Sequence, residues 1–180
     1  MIITGGKYNG RKIITPNESI TRPTLSKIRQ GVFNTLFSIL GDFENKTFLD
    51  LFGGSGIMGL EALSRDFSKV IVFEKNRQAA QIIKKNYTML KEKLDLKIGD
   101  SLKLINKIKE DIDVIYIDPP YYIGIYEEIF NEIKKNNLAN SLIIVEHTVP
   151  LHIRGFSIIK EKKYGDKLIS FYKQDYSQDS

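Results

Sequence analysis

Hydrophobic and polar positions alternate between two rhythms along this chain. Short apolar runs, "TFLDLF" (47–52), "KVIVFE" (69–74), "LDLKI" (94–98), "DVIYI" (113–117) and "SLIIVEH" (141–147), have the length of strands, and the continuously apolar ones suit a parallel sheet buried on both faces. Between them, "GLEALSR" (59–65), "RQAAQIIKKNYTML" (77–90), "SLKLINKI" (101–108) and "YEEIFNEIKK" (126–135) repeat apolar residues at helical spacing and carry polar faces. Strand and helix in strict alternation predict an α/β fold with a doubly wound, mostly parallel sheet. The stretch "FSIIKEKKYGDKLISFYK" (156–173) departs from the alternation and reads as an antiparallel hairpin turning at "YGDK", at the end of the sheet. At the other end, "MIIT" and "RKII" flank "GGKYNG" as a small β-hairpin, and "TLSKIRQGVFNTLFSIL" (24–40) follows as an amphipathic helix. With no repeat, linker or second core, the expected organisation is a single domain over 1–180, with 1–23 as an N-terminal β-hairpin extension.

Composition narrows the chemistry. The 180 residues, 42% of them hydrophobic, suffice for a real core. The absence of cysteine excludes disulfides, thiolate nucleophiles and Cys-based zinc sites, and two histidines argue against a His-rich metal centre. Chemistry must come from carboxylates, hydroxyls, basic groups or a borrowed cofactor, and no metal is expected. The start carries no apolar signal region, and no apolar run approaches the roughly 18 residues of a membrane span, so the expectation is a cytoplasmic protein without membrane contact.

The net charge of +5 is segregated. Residues 1–31 hold Lys7, Arg11, Lys12, Arg22, Lys27 and Arg29 against Glu18 alone, which accounts for the whole excess and leaves the rest of the chain balanced. A basic segment of this kind is what a phosphate backbone selects, because each neutralised phosphate releases counterions. The plainer alternative is a solvated surface on a lysine-rich protein.

Two motifs carry the candidate chemistry. In "LDLFGGSGIMGLEAL" (49–63), Gly54, Gly56 and Gly59 spell G-x-G-x-x-G between a strand and a helix, and Glu74 ends the next strand. This pattern fits a nicotinamide dinucleotide, with glycines for close backbone approach, a helix N-terminus offering N–H groups and an acid for ribose hydroxyls. Asp50 argues otherwise. Its charge would repel a pyrophosphate and suits a ligand bearing an ammonium and a sulfonium, which is S-adenosylmethionine. The second motif lies in "VIYIDPPYYIG" (114–124). Proline holds the residue before it extended and has no N–H, so Asp118, Pro119 and Pro120 end the strand with acceptors and no donors. The Asp118 carboxylate and the Pro119 carbonyl suit the two hydrogens of an exocyclic amino group, and Tyr121 suits stacking on a flat base.

"DPPY" with "DLFGGSG" resembles the amino-group branch of the class I S-adenosylmethionine-dependent methyltransferases, whose sheet is Rossmann-like. Adding "GGKYNGRKI", "TRPTLSKIRQGVFNTL" and "GLEALSR", nearly the whole chain resembles the bacterial 16S ribosomal RNA (guanine-N2)-methyltransferase family of the RsmD type. The resemblance implies methylation of the 2-amino group of one guanine in small-subunit ribosomal RNA, within the subunit or an assembly intermediate, by a monomer. It implies that Asp50, Gly54 and Gly56 contact the methionine part of the cofactor, that Glu74 holds the ribose, and that Asp100 lies beside the adenine. Phe52, Lys75 and Ser101 neighbour these positions and complete the cofactor set, with Phe52 standing where many class I members have glycine. Asp118, Pro119, Pro120 and Tyr121 would hold the target base, and Lys7, Tyr8, Arg11, Lys12, Arg22 and Arg29 would contact RNA.

Plainer roles stand beside these. Asp100 suits a helix N-cap. Glu146 and His147 could border the site and read better as a satisfied strand-end pair, Arg22 could pair with an acid, and Pro23 suits a helix start. Three other functions share parts of the pattern: amino-methylation of adenine or cytosine in DNA or another RNA, NAD-dependent oxidoreduction, and non-catalytic RNA binding.

Overall fold

Five parallel strands and an antiparallel pair form one seven-stranded sheet in the order β3-β2-β1-β4-β5-β7-β6. The structure is a computed structural model that describes residues 1–17, 25–120 and 124–176. The parallel strands are β1 (Thr47–Asp50), β2 (Lys69–Glu74), β3 (Asp95–Ile98), β4 (Val114–Ile117) and β5 (Leu142–His147). The hairpin strands β6 (Phe156–Tyr164) and β7 (Lys167–Gln174) complete the sheet, with β7 inserted between β5 and β6. β1 pairs with β2 on one side and β4 on the other, so the chain reverses its winding direction there. That switch point opens a crevice beyond the carboxyl ends of β1 and β4.

The helices are α1 (Ser26–Leu40), α2 (Ile57–Ser64), α3 (Arg77–Met89), α4 (Ser101–Leu104) and α5 (Ile125–Lys135). Asn76 caps α3, its side chain accepting from the N–H groups of Gln78 at 2.9 Å and Ala79 at 3.0 Å. In α5, Glu127 and Glu128 occupy the first turn and Lys134 and Lys135 the last, complementing the helix dipole. The helix read over 101–108 is shorter than its apolar spacing suggests: α4 tightens into a 3₁₀ turn at Ile105–Lys107. No described helix is long and apolar enough to cross a membrane.

Alternating strand residues feed two cores, which explains the continuous apolar runs. Phe48, Val70, Val72, Val114 and Tyr116 pack under α1, α2 and α3, whereas Leu49, Ile71, Phe73, Ile115 and Ile117 pack under α4 and α5.

The N-terminal hairpin keeps its antiparallel course but forms only one bridge pair, Ile2 with Lys12, around a 3₁₀ turn at Gly6–Tyr8. Backbone bonds from Ile3 N–H to the Arg11 carbonyl and from Ile13 N–H to the Met1 carbonyl, both 3.0 Å, join its arms, and side chains of the domain tie it down. Thr4 N–H donates to Glu61 at 2.9 Å, Tyr8 N–H to Ser64 Oγ at 2.9 Å, and Ile14 N–H to Asn86 Oδ1 at 2.8 Å. Gly6 is required there: its φ is +73°, and a Cβ would fall 1.8 Å from the Ser64 carbonyl oxygen.

Candidate active site

The carboxyl ends of β1, β2, β4 and β5 open on one cleft of about 790 Å³. Its sheet side carries Asp50, Glu74, Asp118 and Glu146, and its opposite wall includes Met1, Pro16 and Leu25 from the N-terminal segment and the start of α1. The glycine loop and the acceptor-only strand end, some sixty residues apart in sequence, thus border the same space.

The loop after β1 is fixed by backbone bonds. Gly53 N–H donates to the Phe73 carbonyl at 2.8 Å and Gly56 N–H to the Gly53 carbonyl at 2.8 Å. Gly54 and Gly56 have φ of 59° and 80°, and Gly56 starts α2 from the left-handed region. Gly59 serves packing instead. A Cβ there would fall 2.2 Å from the Tyr87 hydroxyl and 2.7 Å from Val70, so the glycine permits α2 to lie close on β2 and α3. Gly53, which the fingerprint does not count, is equally constrained, since a Cβ would come within 2.4 Å of Val72.

Glu74 braces this loop. One carboxylate oxygen accepts from Gly54 N–H at 2.7 Å and the other from Asn76 N–H at 2.7 Å, tying the loop to the start of α3. Each oxygen keeps a further lone pair on the cleft side of the strand end. Asp50 is buried and accepts from Phe52 N–H at 3.1 Å. Burial pushes its carboxyl up to about 7, the Phe52 bond opposing and the charges of Glu74 and Glu146 adding to the rise. A cation beside it would favour its ionised form and an anion would raise it further, so the site matches a cationic ligand better than a pyrophosphate.

Asp100 caps α4, accepting from Leu102 N–H at 3.1 Å, and it also borders the cleft. Ser101 Oγ donates to the Leu51 carbonyl, and Phe52 and Lys75 line the same space. All eight residues expected to serve the cofactor therefore lie on or directly brace the cleft rim.

At the end of β4, Asp118 is half-buried, Pro119 buried and Pro120 exposed, while Tyr121 lies outside the described residues. Burial first, and the negative charge of Glu146 second, hold the Asp118 carboxyl well above the usual carboxylate range, against the pull of Lys167. Glu146, which the sequence places in a satisfied strand-end pair able to border the site, is both satisfied and on the cleft. Its carboxylate is fully buried, accepts from the Tyr116 hydroxyl and the Lys167 ammonium, and borders the cleft beside Asp118. An acid at the carboxyl end of a parallel strand was its only signal, the same signal that picks out Asp50 and Glu74. His147 fits the strand-end reading, its Nδ1 bonded to the Val149 carbonyl and its Nε2 to Ser170 Oγ, both at 2.7 Å.

The expected RNA contacts separate. Arg11 and Lys12 are exposed on the hairpin. Lys7 is half exposed and bonded to Glu92 at 2.8 Å, and the Tyr8 hydroxyl donates to the same carboxylate at 2.6 Å. Arg29 corrects the expectation: its side chain is 1% exposed, with Nε on Glu61 at 3.0 Å and Nη2 on the Ile2 carbonyl at 2.7 Å, so it fastens the N-terminal segment to α1 and α2. Arg22 and Pro23 lie outside the described residues.

Comparison with known proteins agrees with this geometry. The family model described as "Conserved hypothetical protein 95" matches residues 1–173. A protein of Escherichia coli strain K12 named "Ribosomal RNA small subunit methyltransferase D" is 30% identical over 185 residues, covering 99% of this chain and 92% of its own length. Its namesake in Haemophilus influenzae is 32% identical over 173 residues, covering 91% and 88%. The solved structure of yhhF from Escherichia coli superposes with a TM-score of 0.82 at 26% identity, over 97% of this chain and 98% of that one. With a family model spanning almost the whole chain and full-length relatives at this identity, the chain belongs to the ribosomal RNA small subunit methyltransferase D family, whose members are enzymes of methyl transfer.

Proposed function

We propose that this protein transfers a methyl group from S-adenosylmethionine to the exocyclic 2-amino group of a guanine in small-subunit ribosomal RNA. The observation that carries the reading is the meeting, in one cleft, of an acceptor-only strand end at Asp118 and Pro119 with a glycine loop and a buried carboxyl that favours a cation. On this reading the whole chain acts as one domain, a monomer in the cytoplasm, on the small subunit or its assembly intermediate. Met1, Thr15 and Pro16 of the N-terminal segment line the cleft, and Arg11 and Lys12 supply contacts to phosphate.

S-adenosylmethionine, when bound, supplies a methyl group made electrophilic by the positive sulfur that bears it. The residues that would hold its methionine part are Asp50, Gly54 and Gly56; Glu74 would hold the ribose hydroxyls, and Phe52, Lys75, Asp100 and Ser101 would border the adenine. Asp118 and the Pro119 carbonyl accept the two hydrogens of the amine. Held so, the nitrogen lone pair is turned out of conjugation with the ring and becomes nucleophilic. A guanine reaches this position only unpaired or flipped from its helix, and Tyr121 is assigned from sequence to stack on it.

A ligand comparison tests the cofactor half of the reading. S-adenosylhomocysteine should raise the melting temperature and bind by calorimetry, whereas NAD should do neither. Stabilisation by NAD alone would turn the reading to a dinucleotide enzyme.

A further inference from the structure

Asp118 and Glu146 directly follow the paired residues Ile117 and Val145 of neighbouring parallel strands, and both line the cleft. Two carboxyl groups bond only when one carries a proton. Both oxygens of Glu146 already accept, one from the Tyr116 hydroxyl and one from the Lys167 ammonium, so its carboxylate is held in place beside Asp118, where the two can bond once Asp118 has taken a proton. The free protein thus holds its proposed amine acceptor in a state that depends on a neighbour clamped by two other strands.

We propose that Glu146, clamped by Lys167 and Tyr116, is a positioning residue for the transfer: paired with Asp118, it shares the proton that the amine releases, and Lys167 keeps the pair free to receive it. This rests on the methyl-transfer reading. In the step the nitrogen–carbon bond forms and the carbon–sulfur bond breaks, the sulfur leaves as a neutral thioether, and the amine proton passes to Asp118 and is shared with Glu146. No further reactant is needed. Asp118 must be ionised to take that proton, so the rate rises with pH through its titration.

The groups around the pair set where that titration falls. From β1, Asp50 adds negative charge, itself acted on by Glu74 of β2. From β7, Lys167 opposes it. From α5, the Tyr126 hydroxyl donates to the Glu146 backbone carbonyl at 3.0 Å rather than to its carboxylate. His147 faces Val149 and Ser170, and Arg29 of α1 is engaged by Glu61. Among the described residues, Lys167 is a cation that acts on Asp118.

The test titrates the Asp118 carboxyl by carbon-13 NMR in the full-length protein without cofactor, alongside single-turnover methyl transfer across pH. Lys167→Met should move the Asp118 midpoint, and with it the rising limb of the pH–rate profile, up by about one pH unit, a ten-fold loss of rate below the limb. Glu146→Gln removes the repelling charge and should move both down by about as much. Lys167→Arg should restore the wild-type position. If Lys167→Met fails to fold, Lys167→Gln carries the same expectation. Midpoints that stay put, or that move the same way in both variants, overturn the proposal, because a purely structural clamp lowers rate without opposite shifts. A wild-type protein that transfers no methyl group at all sinks the methyl-transfer reading and the proposal together, whereas transfer with an unmoved titration sinks the proposal alone.

Discussion

On the proposed reading, Asp50 is a residue that trades stability for a ligand. Its carboxyl ordinarily ionises near 3.8 and here near 7, so the folded state holds a proton that the unfolded chain releases. Stability therefore falls as pH rises through that window, by as much as about 4 kcal/mol once Asp50 is ionised. Asp50→Asn should melt several degrees higher than wild type at pH 8, with the advantage vanishing below pH 4, and should bind S-adenosylhomocysteine at least ten-fold more weakly; melting curves at the two pH values and calorimetry check both. Asp118 makes the complementary case, since on the proposed reading it faces the amine rather than the cofactor. Asp118→Ala should keep cofactor affinity within a few-fold and lose about 10²-fold or more in single-turnover rate. At this scale, strand-end acids and prolines were legible because their chemistry follows from residue type. Arg29 was not, because a buried arginine paired with Glu61 and an exposed one awaiting phosphate look the same in sequence.

Among the elements, α2 depends on its glycines in two ways. Gly56 gives it a left-handed start, and Gly59 lets it approach Tyr87, whose buried hydroxyl has no hydrogen-bond partner among the described residues. Tyr87→Phe should therefore be neutral or stabilising by about 1 kcal/mol, because the lost hydroxyl was desolvated without compensation. Gly59→Ala should destabilise by about 1–3 kcal/mol through overpacking, and Tyr87→Phe should recover part of that loss, which a double-mutant cycle from denaturant unfolding measures. The period of apolar residues located every long helix and strand within a few positions. It did not reveal that β7 enters beside β5, because either hairpin strand offers an apolar face. That insertion is what brings Lys167 to Glu146. The anchoring of the N-terminal hairpin was equally hidden, since it runs to Glu61, Ser64 and Asn86, far away in sequence.

Over the whole molecule, the separation of charge would, on the proposed reading, join the cleft to its substrate. The N-terminal segment that carries the excess positive charge also walls the cleft, so RNA held by Arg11 and Lys12 would lie near the acceptor pair. Neutralising these two exposed groups should flatten the slope of log affinity against log salt by about 1.4 for single-stranded contacts, with cofactor affinity unchanged; binding isotherms over a potassium chloride series read this directly. Lys7→Gln should change the slope less, because its ammonium is bonded to Glu92. The central claim, methyl transfer to a guanine amine of small-subunit RNA, is tested most directly by product mapping. Small subunits and their naked RNA, taken from cells lacking this protein, are incubated with it and methyl-labelled S-adenosylmethionine, and the label is located by nuclease digestion and mass spectrometry. The account predicts a single labelled guanine carrying the methyl group on its 2-amino nitrogen. Label on adenine or cytosine, or none in the small-subunit RNA, would contradict it.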